Sequence, residues 1–220
     1  IVPPPLMPEA IGNGVIDGMM VGEPWGSVAV DRGVASIFLS ATEIWAGTPE
    51  KVFGMRRSWA EANEGAVQGL LRALYRASTW VQDPSNRVTL SELLAREAYL
   101  DVSAEVIERA LSGDLTRTPQ GLQGKIDRFV VSQALWLLTQ MERWGFVSAT
   151  PELQRVVRNT MAPNLYREAL TPLGIAIPSA NSKVEGALHE ATPAASALGR
   201  LFLGPDAFCD GAVFDPAPNE

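Results

Sequence analysis

Cysteine and histidine are nearly absent: the chain has only Cys209 and His189 in 220 residues. A single cysteine excludes an internal disulfide, which fits a cytoplasmic setting, and one residue of each kind excludes a zinc site built from His and Cys ligands. No GxSxG word occurs and the lone histidine lies far down the C-terminal tail, so hydrolysis has no nucleophile–base pair to work with. No apolar run approaches the roughly 18 residues that a membrane-crossing helix needs. Basic clusters are missing too. With 18 Lys+Arg against 25 Asp+Glu, a net charge of −7 and a pI near 4.9, the chain has no surface suited to a phosphate backbone. No internal repeat is visible.

What is present is ordinary in bulk. A hydrophobic fraction of 46% and a charged fraction of 20%, over this length, suit a soluble globular chain with a sizeable core. Glu61, Glu92, Glu105 and Glu108 fall at helix starts or on polar faces, which gives them capping or solvated roles rather than acid–base ones. Of the six tryptophans, Trp80, Trp136 and Trp144 occupy helical positions and are expected to pack. Trp25 and Trp45 stand in loops and are expected to border a pocket.

The informative stretch is residues 15–52, VIDGMMVGEPWGSVAVDRGVASIFLSATEIWAGTPEKV. Met19, Met20 and Val21 form a short apolar run that stops at Gly22-Glu23-Pro24-Trp25-Gly26, so residues 15–21 read as a buried strand emptying into a tight loop. Gly22 and Gly26 lack a Cβ, which lets backbone N–H groups approach a small ligand. Residues 26–33 then read as a helix stopped by Gly33. A strand-to-helix loop is where open α/β sheets bind ligands, and a helix N-terminus favours an anion.

The words DGMMVGEPWGSVAV, IWAGTPEKV and NRVTLSELLAREAYL resemble the nitrate- and bicarbonate-binding proteins of bacterial ABC importers. They are most similar to the cytoplasmic nitrate/nitrite sensors of the NasS type, and the tail SKVEGALHEATPAASALGRLFLGPDAFCDG favours the sensors. The resemblance runs over nearly the whole chain. It implies a helix-rich α/β chain that is part of a type II periplasmic-binding-protein-like, two-lobed fold. It also implies that these residues are the C-terminal part of a longer protein. Residues 1–45 would be the second half of lobe 2, with the anion-binding GEPW loop and a crossover. Residues 46–174 would be the helical part of lobe 1, and 175–220 an extended tail packed on the core. The segment before Gln133 is contracted relative to these families.

For function, the resemblance implies a sensor of nitrate or nitrite that controls a partner antiterminator carrying an RNA-binding ANTAR domain. The sensor itself would have no enzymatic activity and no cofactor, metal, membrane span or direct nucleic-acid contact. The alternatives are the periplasmic binding component of a nitrate or bicarbonate importer, and an enzyme of pyrimidine-precursor synthesis on the same fold. The last lacks a histidine or cysteine near the motifs. A site for a planar, easily desolvated monoanion needs in-plane N–H donors, a cation and an apolar wall. The candidates are Gly22, Glu23, Pro24 and Trp25 of the loop, with Lys51 as the cation. By the resemblance, lysine after PE favours nitrate, where bicarbonate binders tend towards an acidic residue.

Elsewhere, residues 7–13 read as a short helix with Pro8 at its start, ended by Gly12-Asn13-Gly14. Residues 35–39 and 51–57 are further β-prone runs. From Ser58 the chain reads as helical through Leu173, with strands largely confined to the first 57 residues. Ser58-x-x-Glu61 and Thr89-x-x-Glu92 have capping-box spacing. Val67, Leu70, Leu71, Leu74, Ala77, Ser78 and Val81 follow the helical period and are expected to bury one face. A helix over 103–111 should close at Gly113, and one marked by Ile126 through Trp144 at Gly145, with 116–124 as loop. Pro151 and Pro163 should open two more helices, and Gly174 should close the last. In the tail, Phe202, Leu203, Phe208 and Phe214 should be covered.

Overall fold

The computed structural model describes residues 1–46, 48, 51–120, 123–125 and 134–216. In chain order the helices are α1 (Met7–Gly12), α2 (Trp25–Asp31), α3 (Ala41–Ile44), α4 (Arg57–Ala62), α5 (Glu64–Gln82), α6 (Arg87–Leu94), α7 (Ala104–Ser112), α8 (Ala134–Arg143), α9 (Pro151–Thr160) and α10 (Pro163–Leu170). The strands β1 (Asp114–Thr116) and β2 (Gln123–Lys125) form one antiparallel pair, and β3 (Thr192–Ala194) and β4 (Leu201–Leu203) another. Two compact units result: residues 1–40 with 77–128, and residues 41–76 with 129–220.

The first unit is built on α2. Ser27, Val28, Ala29 and Val30 are buried in succession, so this helix is covered nearly all round, by α1, α7 and β1. Its amphipathic neighbour α7 turns Val106 and Ile107 inward. Ser103 caps α7 by accepting from the Val106 N–H at 3.4 Å, and Gly113, at φ 80°, ends it in the left-handed region. Arg109 reaches from α7 to Asp31 at the end of α2 at 2.7 Å. With Leu90 of α6 and Leu115 of β1, these residues form the core of the unit.

The second unit centres on Trp45, 1% exposed, with Leu138, Ala169, Leu170 and Phe208. Trp45 stacks on Phe208 at 4.8 Å between ring centroids and meets Trp136 at 4.7 Å. α8 packs on α9, which begins at Pro151 with the Thr150 hydroxyl accepting from the Leu153 N–H at 3.1 Å. The tail is fastened at several points. The Arg167 guanidinium donates to the carbonyls of Pro178 at 3.2 Å and Ala180 at 3.1 Å. Lys183 bonds both Glu185, at 2.6 Å, and Asp206. Glu185 and Phe214 exchange two backbone bonds at 2.8 and 2.9 Å. Gly186 sits at φ 83° where a Cβ would meet Phe208 and the Ala212 carbonyl at 2.5 Å, so the tail turn there requires glycine.

The stops at Gly14, Gly33, Gly113, Gly145 and Gly174 and the openings at Pro8, Pro151 and Pro163 fall where the sequence puts them. The strands do not. Residues 15–21, 35–39 and 51–56 carry no regular secondary structure, and the four strands among the described residues lie after residue 113. A strand needs a neighbour to satisfy its backbone, and among the described residues only Ile37 has one, its N–H donating to the Arg117 carbonyl at 2.6 Å. The 116–124 loop is in part the β1–β2 pair. Neither capping box forms. α4 starts at Arg57 after an uncapped Arg56, and Thr89 lies inside α6. Ahead of α6 the side chain of Asp83 instead caps a 3-10 turn through Ser85, and those hydrogen bonds lower the carboxyl's pKa.

The apolar stripe of α5 is only partly covered. Val67 is buried, whereas Leu70, Leu74 and Val81 are exposed, because α5 packs broadly on no other described element. Trp80 and Trp144 are exposed rather than packed, and so is Phe202. The predicted helix portion at 126–133 lies outside the described residues. No described helix is long and apolar enough to cross a membrane.

Candidate functional site

The loop at residues 22–26 delivers the chain into α2. Gly22 is exposed and Glu23 half-buried. Pro24, joined by a cis peptide, is buried, and Trp25 opens the helix half-buried. Pro24 occupies the N-cap position and has no side chain that could cap. Glu23 supplies what is missing: its Oε2 accepts from the Ser27 N–H at 3.2 Å. Gly26 makes that possible, since a Cβ on it would come within 2.6 Å of Glu23 Oε1. The α2 terminus therefore carries its own carboxylate, and the sequence signal for this was Glu one residue before a proline at the cap. Gly22 makes no backbone–backbone hydrogen bond among the described residues, so its N–H points to no partner there.

Lys51 belongs to the second unit. It is exposed and lies in irregular chain after residues 49 and 50, which are outside the described residues. The loop residues Gly22, Glu23, Pro24 and Trp25 are thus brought together by α2, and Lys51 is placed on a separate unit. Trp45 is no pocket wall: its burial in the stack with Trp136 and Phe208 makes it core. Sequence reasoning also missed the Lys183–Glu185–Asp206 cluster, whose carboxylates are 1% and 5% exposed. A lysine two residues from a glutamate in a glycine-rich tail was the available signal. Glu105 and Glu108 are exposed, Glu105 pairing with Arg109 at 3.3 Å, as expected of solvated positions. Among the described residues no group of His, Cys, Asp and Glu could hold a metal ion. A cleft of about 220 Å³ in the second unit is lined by Trp136, Arg143, Phe208, Asp210 and neighbours, and includes none of the predicted site residues.

Residues 1–95 match the NMT1-like family. The chain is 29% identical, over 98% of its length, to the nitrate/nitrite binding protein NrtA of Synechococcus elongatus, and covers 47% of it. It is 33% identical over 79% of its length to the nitrate import ATP-binding protein NrtC of Synechocystis, covering 28% of that chain. The crystal structure of the periplasmic nitrate-binding protein NrtA from Synechocystis superposes with a TM-score of 0.79 at 25% identity, over 98% of this chain and 55% of that one. The chain thus spans about half the length of the binding proteins it matches. Its fold is the helix-rich α/β fold of periplasmic binding proteins. The relatives matched along nearly all of it are binding proteins rather than enzymes.

Proposed function

We propose that this chain is part of a two-lobed protein that binds nitrate or nitrite and acts as a sensor controlling an ANTAR-domain antiterminator. The observation that carries the anion reading is the similarity to nitrate/nitrite binding proteins over 98% of the chain. In this reading residues 1–45 belong to lobe 2 and 46–174 to lobe 1, with the tail over the core. The Gly22 N–H donates to the anion, the Trp25 ring walls it, Glu23 and Pro24 set the loop, and Lys51 supplies the compensating charge. Because Glu23 already caps α2, the helix terminus is not assigned a part in holding the anion. RNA would be the ligand of the partner, in keeping with the net charge of −7.

The test is Lys51→Ala in the full-length protein, with nitrate binding read by calorimetry. Removing the partner of a buried anion costs about 3–5 kcal/mol, a loss of a few hundredfold to several thousandfold in affinity. A change of less than about threefold, the scale of a screened surface charge, would return Lys51 to the surface. A pull-down without nitrate should recover an ANTAR-domain protein that nitrate releases. The second reading, an importer's periplasmic binding component, is favoured by the periplasmic nitrate-binding neighbour, and recovery of permease subunits would establish it.

A further inference from the structure

The cleft in the second unit has a chemically mixed lining. Its floor is aromatic: the rings of Trp136 and Phe208 stack at 5.2 Å between centroids and 25° between planes. One wall is a face of α8, where Trp136, Gln140 and Arg143 follow at helical spacing. The other is the tail turn that carries Asp210. That turn is fixed at both ends, by Phe208 in the Trp45 stack and by the backbone bonds between Phe214 and Glu185. Within it, Asp210 Oδ1 accepts from the Ala212 N–H at 2.9 Å. Arg143 and Asp210 thus line one cleft with opposite charges, yet neither forms an ion pair among the described residues. The Arg143 guanidinium lies 5.8 Å from the centroid of the Trp144 ring. The other polar side chains serve each other. Gln140 Nε2 donates to the Thr139 hydroxyl at 3.3 Å, and that hydroxyl donates to the Trp136 carbonyl at 2.7 Å.

We propose that this cleft binds a free α-amino acid with an aliphatic side chain. Its carboxylate meets Arg143, its ammonium meets Asp210, and its side chain lies on the Trp136–Phe208 floor. A simple acid would bring a like charge to Asp210, and a simple amine would bring one to Arg143. A zwitterion gives each of the two a charge-assisted hydrogen bond. A polar side chain set on the aromatic floor would lose water without gaining a partner, whereas an aliphatic one gains by leaving water. Size agrees. The cleft of about 220 Å³ holds roughly seven waters at ~30 Å³ each, below the ~300–1,000 Å³ that drug-sized ligands occupy. The site shares no residue with the nitrate reading and does not depend on it.

Calorimetry of the full-length protein with L-leucine as the probe tests it. Leucine should bind with a Kd of about 1 mM or tighter. Isopentylamine, which is leucine without its carboxylate, should bind at least about tenfold more weakly, and so should 4-methylpentanoate, which lacks the ammonium. Arg143→Gln should weaken leucine by about tenfold and leave isopentylamine unchanged. Asp210→Asn, which keeps an acceptor for the Ala212 N–H, should weaken leucine similarly without weakening 4-methylpentanoate. A merely structural role for either residue would move all three probes together. No binding of leucine up to about 10 mM, equal affinity for leucine and both analogues, or leucine binding unmoved by both substitutions would overturn the proposal.

Discussion

Residues 15–22 and the tail after residue 174 look alike in sequence, both rich in glycine and poor in periodicity, yet the structure treats them differently. The tail is tied down by distant partners: Arg167 on its first carbonyls, Lys183 between two buried carboxylates, and Phe208 in the Trp45 stack. The 15–22 run is apolar enough to be core, but it has no such ties among the described residues. Order in an irregular segment therefore follows from a few long-range anchors rather than from its own composition. Irregular backbone is costly to bury only when its polar groups find nothing, and in the tail they find one another.

The contrast can be broken where the anchors are strongest. Trp45→Ala in the full-length protein should lower stability by about 3–5 kcal/mol in denaturant melts, because it empties the centre of the aromatic stack. A loss under about 1 kcal/mol would mean the tail is held by its polar ties alone. Asp206→Ala should cost about 3 kcal/mol, at the low end for a broken buried pair because Lys183 is 25% exposed. It removes one of the two carboxylates that hold Lys183 and the acceptor of the Leu188 N–H, whereas Asp206→Asn keeps the latter bond and should cost less. Next in size is Glu23→Ala, which uncaps α2 for about 1 kcal/mol, with Glu23→Gln recovering most of it. The smallest change sharpens the comparison. Trp144, 70% exposed, should be replaceable by alanine within about 0.5 kcal/mol, showing that anchoring and not aromatic character decides the effect.

Legibility in the sequence followed the same division. Proline openings and glycine stops are set by one or two residues, so α7 was readable with both ends and α9 and α10 with their starts. The Ser58 and Thr89 boxes misled because each helix begins before its box, α4 at Arg57 and α6 at Arg87, so neither Ser58 nor Thr89 stands at a cap. Strand and stripe predictions failed where a property of pairs was read from one member: residues 15–21 and the Leu70–Leu74 face of α5 have the pattern of buried elements but lack their neighbours. The turn into α2 was legible because Gly22, Pro24 and Gly26 punctuate it. The capping role of Glu23 was not, since it depends on the side chain folding back onto Ser27.

Cys209 gives the tail anchor a use as a reporter. The thiol is exposed, while its own N–H donates to the Ile44 carbonyl at 2.8 Å and its neighbour Phe208 is buried in the stack. It is the sole cysteine of these 220 residues, so a maleimide dye would label this region at one place, beside the spot where the tail meets residues 44–46. The anisotropy of that dye would follow the docking of the tail in real time, separately from the unfolding of the rest of the molecule.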